Sequence, residues 1–384
     1  MTEPGLFSPL TLRGVTLRSR IVVSPMCQYM AAGGFPTDWH LVHLGKFAQG
    51  GAAAVIVEAT AVEERGRITH GDLGIWNDAH VEPLATISRF IESLGAVPGI
   101  QLSHAGRKAS AQRPWHGNGP LGSVDLAERG EKPWPLVAPS PVPVEDGWAA
   151  PHELSGTELE GVCARWCEAT RRAQAAGFRI LEIHCAHGYL LHQFLSPLTN
   201  WRSDKYGGDA QRRMAFPLKV IRSVRAIWPA ELPLFVRISA VDGYDGGLVL
   251  EDSVRFAREL SELGVDVIDC SSGGLIRPAM ASTVVRPEPG FQVPYAQAIR
   301  RQAAIRTMAV GLIREPSHAD SIVRDGRADL VAIAREALWN PNWPMLAAQE
   351  LGLDAFRDVP VNYGLFLRRR ASSVEPRVAL GSVG

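Results

Sequence analysis

The chain has 384 residues, is 46% hydrophobic and carries a formal net charge of zero. That length admits one large or two ordinary domains around a sizeable core, and the neutral balance gives neither nucleic acid nor an anionic membrane an electrostatic hold, so neither is expected as a partner. Its five cysteines include no CxxC pair, which argues against a disulfide framework and against a cysteine-ligated iron–sulfur cluster.

The opening MTEPGLFSPL lacks the basic and apolar regions of a signal peptide, and no apolar run reaches membrane-spanning length, so a soluble cytoplasmic protein is expected. Residues 10–20 alternate around Arg13-Gly14 and predict a small hairpin, placed to plug the bottom of a barrel. A short apolar strand at 21–23 ends at Ser24-Pro25. A helix follows from Asp38, as N-cap, to Gln49, closed by Gly50-Gly51. Further strands are predicted at 52–59, 97–103, 178–184, 234–239, 265–270, 306–311 and 328–334, and further helices at 79–94, 156–176, 209–227, 251–263, 293–303, 316–325 and 344–351. Strands alternating with helices in this way predict an α/β fold, a (β/α)8 TIM barrel spanning 1–384 as a single domain. The one long interruption, 105–155 after the third strand, is rich in Pro, Gly and Trp. It reads either as an excursion over the site or as packing on the barrel exterior.

Unusual polar residues gather at the C-terminal ends of the predicted strands: Cys27, Thr60, Gln101 with His104, His184, Arg237, Ser271 to Gly274, Gly311 and Arg335. Barrel enzymes build their sites on that face, whereas purely structural residues would be scattered over both ends. Phe235, Arg237 and Ser239 alternate onto one strand face, and an arginine aimed into a barrel interior needs an anionic partner. That partner is either a bound anion or a carboxylate such as Glu182 on the adjoining strand.

The most informative stretch is HCAHGYLLHQFLSPLTNWRSDKYGG, from His184. His184, His187 and Tyr189 leave an apolar strand within one turn, three hydrogen-bond donors with no acidic neighbour. Such a cluster suits negative charge developing on an oxygen, with a proton to be delivered nearby. HxxH is also half of a zinc site, but a third ligand with its own support is missing, so no metal is expected. A metal-dependent barrel hydrolase would need carboxylates or further histidines at strand ends that hold Cys27, Thr60 and Gln101 instead.

This stretch resembles the signature of the old yellow enzyme family, FMN-dependent ene-reductases reduced by NADPH. Ser24-Pro25-Met26-Cys27-Gln28-Tyr29 is similar to the branch with a cysteine at that position, the thermophilic-like class, and the resemblance covers nearly the whole chain. It implies that Ser24, Pro25, Met26, Cys27, Thr60, Gln101 and Arg237 contact the flavin ring. The loops after strands 7 and 8, with Gly311, Ala334 and Arg335, together with the Gly273 turn, would hold the phosphate. Related enzymes often have Gly where this chain has Ala334. His184 and His187 would bind the oxygen of an α,β-unsaturated carbonyl, a maleimide or a nitro compound. Tyr189, whose ordinary pKa of about 10 keeps its proton at neutral pH, would protonate the α-carbon. Tyr29 would line the substrate pocket. No Rossmann-type GxGxxG is visible, so the nicotinamide is expected directly on the flavin. In this class a C-terminal arginine reaches into a partner's pocket. Arg368 within 360–384 is the candidate, Arg369 a rival and a frayed basic tail the alternative. The finger would require a homodimer or a dimer of dimers. The remaining alternative, a flavin-binding protein without turnover, is disfavoured by the intact His184, His187 and Tyr189.

Overall fold

Eight parallel strands close into a barrel in the computed structural model, which describes residues 5–275 and 287–373. In chain order they are β1 (Ile21–Val23), β2 (Ala54–Ala61), β3 (Val97–Ser103), β4 (Ile180–Cys185), β5 (Leu234–Ser239), β6 (Val267–Ser271), β7 (Arg306–Ala309) and β8 (Leu330–Ile333). β8 pairs with β1 and completes the ring. Strands wrapped by helices are buried on both faces and so read as near-continuous apolar runs. β4, β5 and β6 are buried at every position.

The helices outside the barrel are α1 (Asp38–Gln49), α2 (Val81–Ser93), α3 (Gly156–Ala175), α4 (Ala210–Ile227), α5 (Leu250–Glu262), α6 (Val293–Ala303), α7 (Pro316–Arg324) and α8 (Trp343–Glu350). Their starts follow capping chemistry. Ser155 accepts from the Glu158 N–H at α3, and Asp209 accepts from the Arg212 N–H at α4. At α1 the N-cap is Thr37 rather than Asp38, because the Thr37 N–H is taken by His40 Nδ1 at 3.0 Å; Asp38 sits in the first turn.

Two apolar cores result. Val55, Val57, Leu181 and Ile183 face the helices, while Ile56, Ile180, Phe235, Val267 and Met308 fill the barrel interior. The predicted hairpin pairs Leu10–Leu12 with Val15–Leu17, and Leu12 and Leu17 join that interior cluster, plugging the barrel floor. Among the described residues no helix is long and apolar enough to cross a membrane.

Four further helices were not anticipated, three of them short: Ser123–Arg129, Leu190–Leu195, Arg335–Trp339 and the longer Val361–Ser373. The last speaks against the alternative of a frayed tail up to residue 373, and 374–384 lie outside the described residues. Arg368 on this helix forks onto Asp354 of its own chain, at 3.0 and 2.7 Å. The 105–155 excursion settles on the site side. Its Ala109, Ala111, Leu136, Val144 and Trp148 form a satellite cluster against which Cys27, Tyr29 and Tyr189 pack.

Candidate active site

β4 delivers His184 at its C-terminal end, and the chain then turns sharply. His187 and Gly188 are both left-handed, at φ 58° and 73°. Such a conformation in a histidine is uncommon and marks a position held by its surroundings. The His187 N–H is accepted by Ser239 Oγ at 3.0 Å. Lys108 donates to the His187 carbonyl at 3.0 Å and also to that of Gly274. Gly274 must lack a side chain here, since a Cβ would stand 2.8 Å from His187 Cα.

The three predicted side chains converge. The His184 ring centroid lies 5.1 Å from that of His187 and 4.8 Å from that of Tyr189, both edge-to-face. His184 Nδ1 accepts the Ala186 N–H at 3.1 Å, which places the ring proton on Nε2. That Nε2–H has no protein hydrogen bond among the described residues. His187 Nε2 lies 2.7 Å from Ser271 Oγ. Burial, then the charge of Arg237, push both imidazoles well below their ordinary 6.5, so both are neutral donors.

Arg237 projects into the interior as predicted, but its partner is set by strand register. β5 and β6 place Arg237 opposite Asp269, whereas Glu182 is opposite Phe235 and Gln101. Arg237 Nε accordingly stands 3.2 Å from Asp269 Oδ2, and a terminal nitrogen donates to Ser24 Oγ at 3.2 Å. Glu182 Oε1 instead accepts from Gln101 Nε2 at 2.8 Å. Burial pushes both carboxyls upward, and the Arg237 charge opposes the rise. Arg237 Nε, Glu182 Oε2 and both Asp269 oxygens are buried without a hydrogen bond. Unsatisfied groups in such number at one level of a barrel point to a missing polar partner.

Next to them lies a cavity of about 380 Å³, lined by Arg237, Ser271, Gln292, Gly311, Arg314, Ala334 and Arg335 among others. Gly311 has φ 117°, and a Cβ there would stand 2.9 Å from Gln292 Oε1, so only glycine leaves the cradle open. Neither Arg314 nor Arg335 makes an ion pair among the described residues, leaving two guanidinium groups uncommitted on the cavity wall. An anionic end beside Arg314 and Arg335, with a hydrogen-bonding ring beside Arg237, is what FMN would present, and the residues fit it. Gly273 serves differently from expectation. Its N–H is spent on the Val241 carbonyl at 2.8 Å and its carbonyl accepts from Ser239, so it shapes the floor under His187 instead of offering a donor to an anion.

The 24–29 segment borders the same region. The Ser24 N–H bonds to the Ile333 carbonyl at 3.0 Å, and Ser24 Oγ accepts from Arg237. The Met26 carbonyl accepts from Gln28 at 2.9 Å; Pro25 joins these two. Burial, then Glu58 and Asp72, push the Cys27 thiol well up, so it stays protonated. Tyr29 is left-handed at φ 56°, and Cys27 and Tyr189 lie near enough to raise its phenol further beyond the effect of burial. Thr60 is buried beside a bulge in β2, its hydroxyl bonded to the Glu58 carbonyl at 2.8 Å. Of the predicted residues only Arg368 stands apart, exposed on the far C-terminal helix. Lys108, Gln292 and Arg314 belong to the site without having been singled out for it, whereas Ser271 stood in the strand-end series. Arg314 follows Gly311 closely enough to have been found; Lys108 and Gln292 carry no local signal.

No group of three or more His, Cys, Asp or Glu among the described residues could hold a metal ion. The profile of the NADH:flavin oxidoreductase / NADH oxidase family matches residues 5–354. An NADPH dehydrogenase of Geobacillus sp. (strain WCH70) is 46% identical over 352 residues, 91% of this chain and 95% of that protein. The NADPH dehydrogenase of Bacillus subtilis (strain 168) is 41% identical over 360 residues, 93% and 98% of the two chains. Among solved structures, morphinone reductase in complex with tetrahydroNAD superposes with a TM-score of 0.74 at 24% identity, over 91% of this chain and 92% of its own. The old yellow enzyme homologue from Zymomonas mobilis gives 0.74 at 24% identity, over 90% and 93%; at such identity these two speak for the fold.

Proposed function

The chain belongs to the NADH:flavin oxidoreductase / NADH oxidase family, that of the old yellow enzymes, and we propose that it is an ene-reductase acting on α,β-unsaturated carbonyls, maleimides or nitroalkenes. It is a flavin-dependent oxidoreductase that uses FMN, with NADPH as reductant. When bound, FMN would supply the hydride-transfer chemistry between NADPH and the β-carbon of the alkene. The protein's part is to bind, polarise and protonate.

The observation that carries this reading is the convergence of His184, His187 and Tyr189 beside the cavity, with both imidazoles held neutral. His184 presents Nε2–H. On this reading the Ser271 hydroxyl, 2.7 Å from His187 Nε2, donates to that nitrogen, which leaves the His187 ring proton on Nδ1 for the substrate. Both donate to the substrate oxygen, and these bonds strengthen as enolate charge grows, which lowers the barrier by differential binding. Tyr189 delivers its proton to the α-carbon. The Arg237 charge suits a reduced, anionic ring, and Arg314 with Arg335 suits the phosphate. Ser24, Pro25, Met26, Thr60 and Gln101 border the ring, while Tyr29 lines the pocket with Trp115 against it.

Two further elements are proposals of the same kind. The chain forms one barrel domain and assembles as a homodimer or dimer of dimers. The C-terminal helix meets a neighbour through Val361, Leu365 and Phe366, all strongly exposed, and Arg368 leaves Asp354 to reach the neighbour's pocket. The five free thiols suit a reducing, cytoplasmic setting.

Anaerobic stopped-flow kinetics test the reading by separating the half-reactions. Tyr189→Phe should slow enone-driven reoxidation by on the order of 10²–10⁴ and leave NADPH-driven reduction intact. Replacing His184 and His187 with Ala should do the same. Wild-type enone kinetics in all three variants would sink the assignment.

A further inference from the structure

Behind the His184–Tyr189 turn lies a second pair of titratable side chains that takes no part in the steps above. Asp242 and His192 are both fully buried, and His192 Nε2 sits 2.9 Å from Asp242 Oδ1. The other ring nitrogen, Nδ1, accepts the backbone N–H of Gly188 at 2.8 Å. A nitrogen that accepts carries no proton, so the ring is the Nε2–H tautomer, and the carboxylate keeps it so. Asp242 is fully committed: Oδ2 also accepts the Ser196 hydroxyl at 2.6 Å and the Leu248 N–H at 2.7 Å.

His187 and Gly188 are left-handed in succession, which costs a histidine energy. Two side chains of the following short helix grip the glycine from both sides. His192 takes its N–H, and Gln193 Nε2 donates to its carbonyl at 2.7 Å. On the opposite flank the Gly274 carbonyl oxygen stands 2.7 Å from where a Gly188 Cβ would be, so the peptide is wedged. The torsions of Gly188 set how the His187 imidazole and the Tyr189 phenol face one substrate.

We infer that Asp242 and His192 are positioning residues for the enone half-reaction: the carboxylate selects the tautomer whose bare Nδ1 pins Gly188, and the pinned turn holds His187 and Tyr189 in register. The inference rests on the ene-reductase reading above.

Asp242→Asn tests it at nearly constant volume. If the amide oxygen keeps Ser196 and Leu248, the NH₂ faces His192 Nε2, which must then accept. The ring proton moves to Nδ1 and meets the Gly188 N–H donor to donor. In FMN-loaded, ¹⁵N-histidine-labelled protein, the two-bond ¹H–¹⁵N spectrum should show one ring change from the Nε2–H to the Nδ1–H pattern. Enone-driven reoxidation should slow by roughly 10- to 100-fold, as for a small misplacement of reacting groups, with NADPH-driven reduction unchanged. His192→Asn sets an amide oxygen near the place of Nδ1. In that background Asp242→Asn should add nothing, because no tautomer remains to invert. An unchanged His192 tautomer, equal slowing of both half-reactions, or the same slowing in the His192→Asn background would overturn the inference. Should Asp242→Asn not fold, the comparison passes to His192→Asn against His192→Leu: the Asn enzyme should keep its enone rate and the Leu enzyme lose it, and equal rates overturn the inference. A wild type inert to every enone would instead sink the proposed function, while the tautomer spectrum would still decide the role of Asp242.

Discussion

Replacing Arg237 with Met separates the two tasks that the guanidinium performs. Its side chain is nearly buried and faces Asp269, which is wholly buried, with Glu182 protonating nearby. Removing one partner of a buried pair typically costs about 3–5 kcal/mol, because the remaining charge is left unpaired. In a chain of this size that is a fall in Tm of roughly 4–6 °C. The loss should depend on pH with a definite sign. Burial already raises the Asp269 carboxyl, and without Arg237 it rises further. A carboxyl raised in the folded state gains stability as pH falls from its folded pKa towards its unfolded one. The deficit relative to wild type should therefore shrink between pH 8 and pH 5.5. FMN affinity is a separate readout: a charge-assisted hydrogen bond worth about 1.5–3 kcal/mol corresponds to a Kd weakened by roughly 10- to 150-fold, measured by flavin fluorescence on refilled apoenzyme. Adding Asp269→Asn should recover the Tm and not the FMN affinity. An Arg237→Met enzyme that binds FMN as wild type does, or a double variant in which FMN affinity returns together with Tm, would rule out this role of Arg237.

Other expectations follow from the same geometry. Gly311→Ala forces a Cβ against Gln292 at a φ suited to glycine; it should cost about 1–3 kcal/mol and weaken FMN binding, read by thermal melts with and without FMN. Because His184 and His187 are held neutral, the rate of enone-driven reoxidation should be flat from pH 6 to pH 8, and an acid limb near the ordinary histidine value of 6.5 would contradict their assignment. Cys27→Ala should shift the FMN potential in a redox titration while leaving the melt unchanged. Arg368→Ala should leave the melt of the subunit unchanged, since its link to Asp354 is fully exposed; it should raise KM for the enone if the arginine enters a partner's pocket, and an unchanged KM would return it to a surface role.

Much of the fold is legible in the sequence because a barrel strand covered by helices is apolar on both faces. Runs such as Ile180–Cys185 and Leu234–Ser239 stand out against the helical stripes between them. Leu190–Leu195 is not legible as a helix: it is buried all round and too short to show a period. Val361–Ser373 fails for the opposite reason, since Val361, Leu365 and Phe366 remain exposed and no buried stripe marks the element. The catalytic cluster is visible because His184, His187 and Tyr189 come from one turn. Its supports are not. Asp269 becomes the partner of Arg237 only through the pairing of β5 with β6, and Lys108 reaches His187 across 79 residues of sequence. Sequence distance carries no information about those contacts; strand register and the course of the excursion decide them.

A redox cycle between NADPH and an activated alkene can be read in the visible spectrum of the purified protein. Noncovalent FMN, one per chain, should give a flavin spectrum that NADPH bleaches under anaerobic conditions and cyclohexenone restores. A spectrum that NADPH leaves unchanged, or one that bleaches and never returns with any enone, maleimide or nitroalkene, would contradict that cycle.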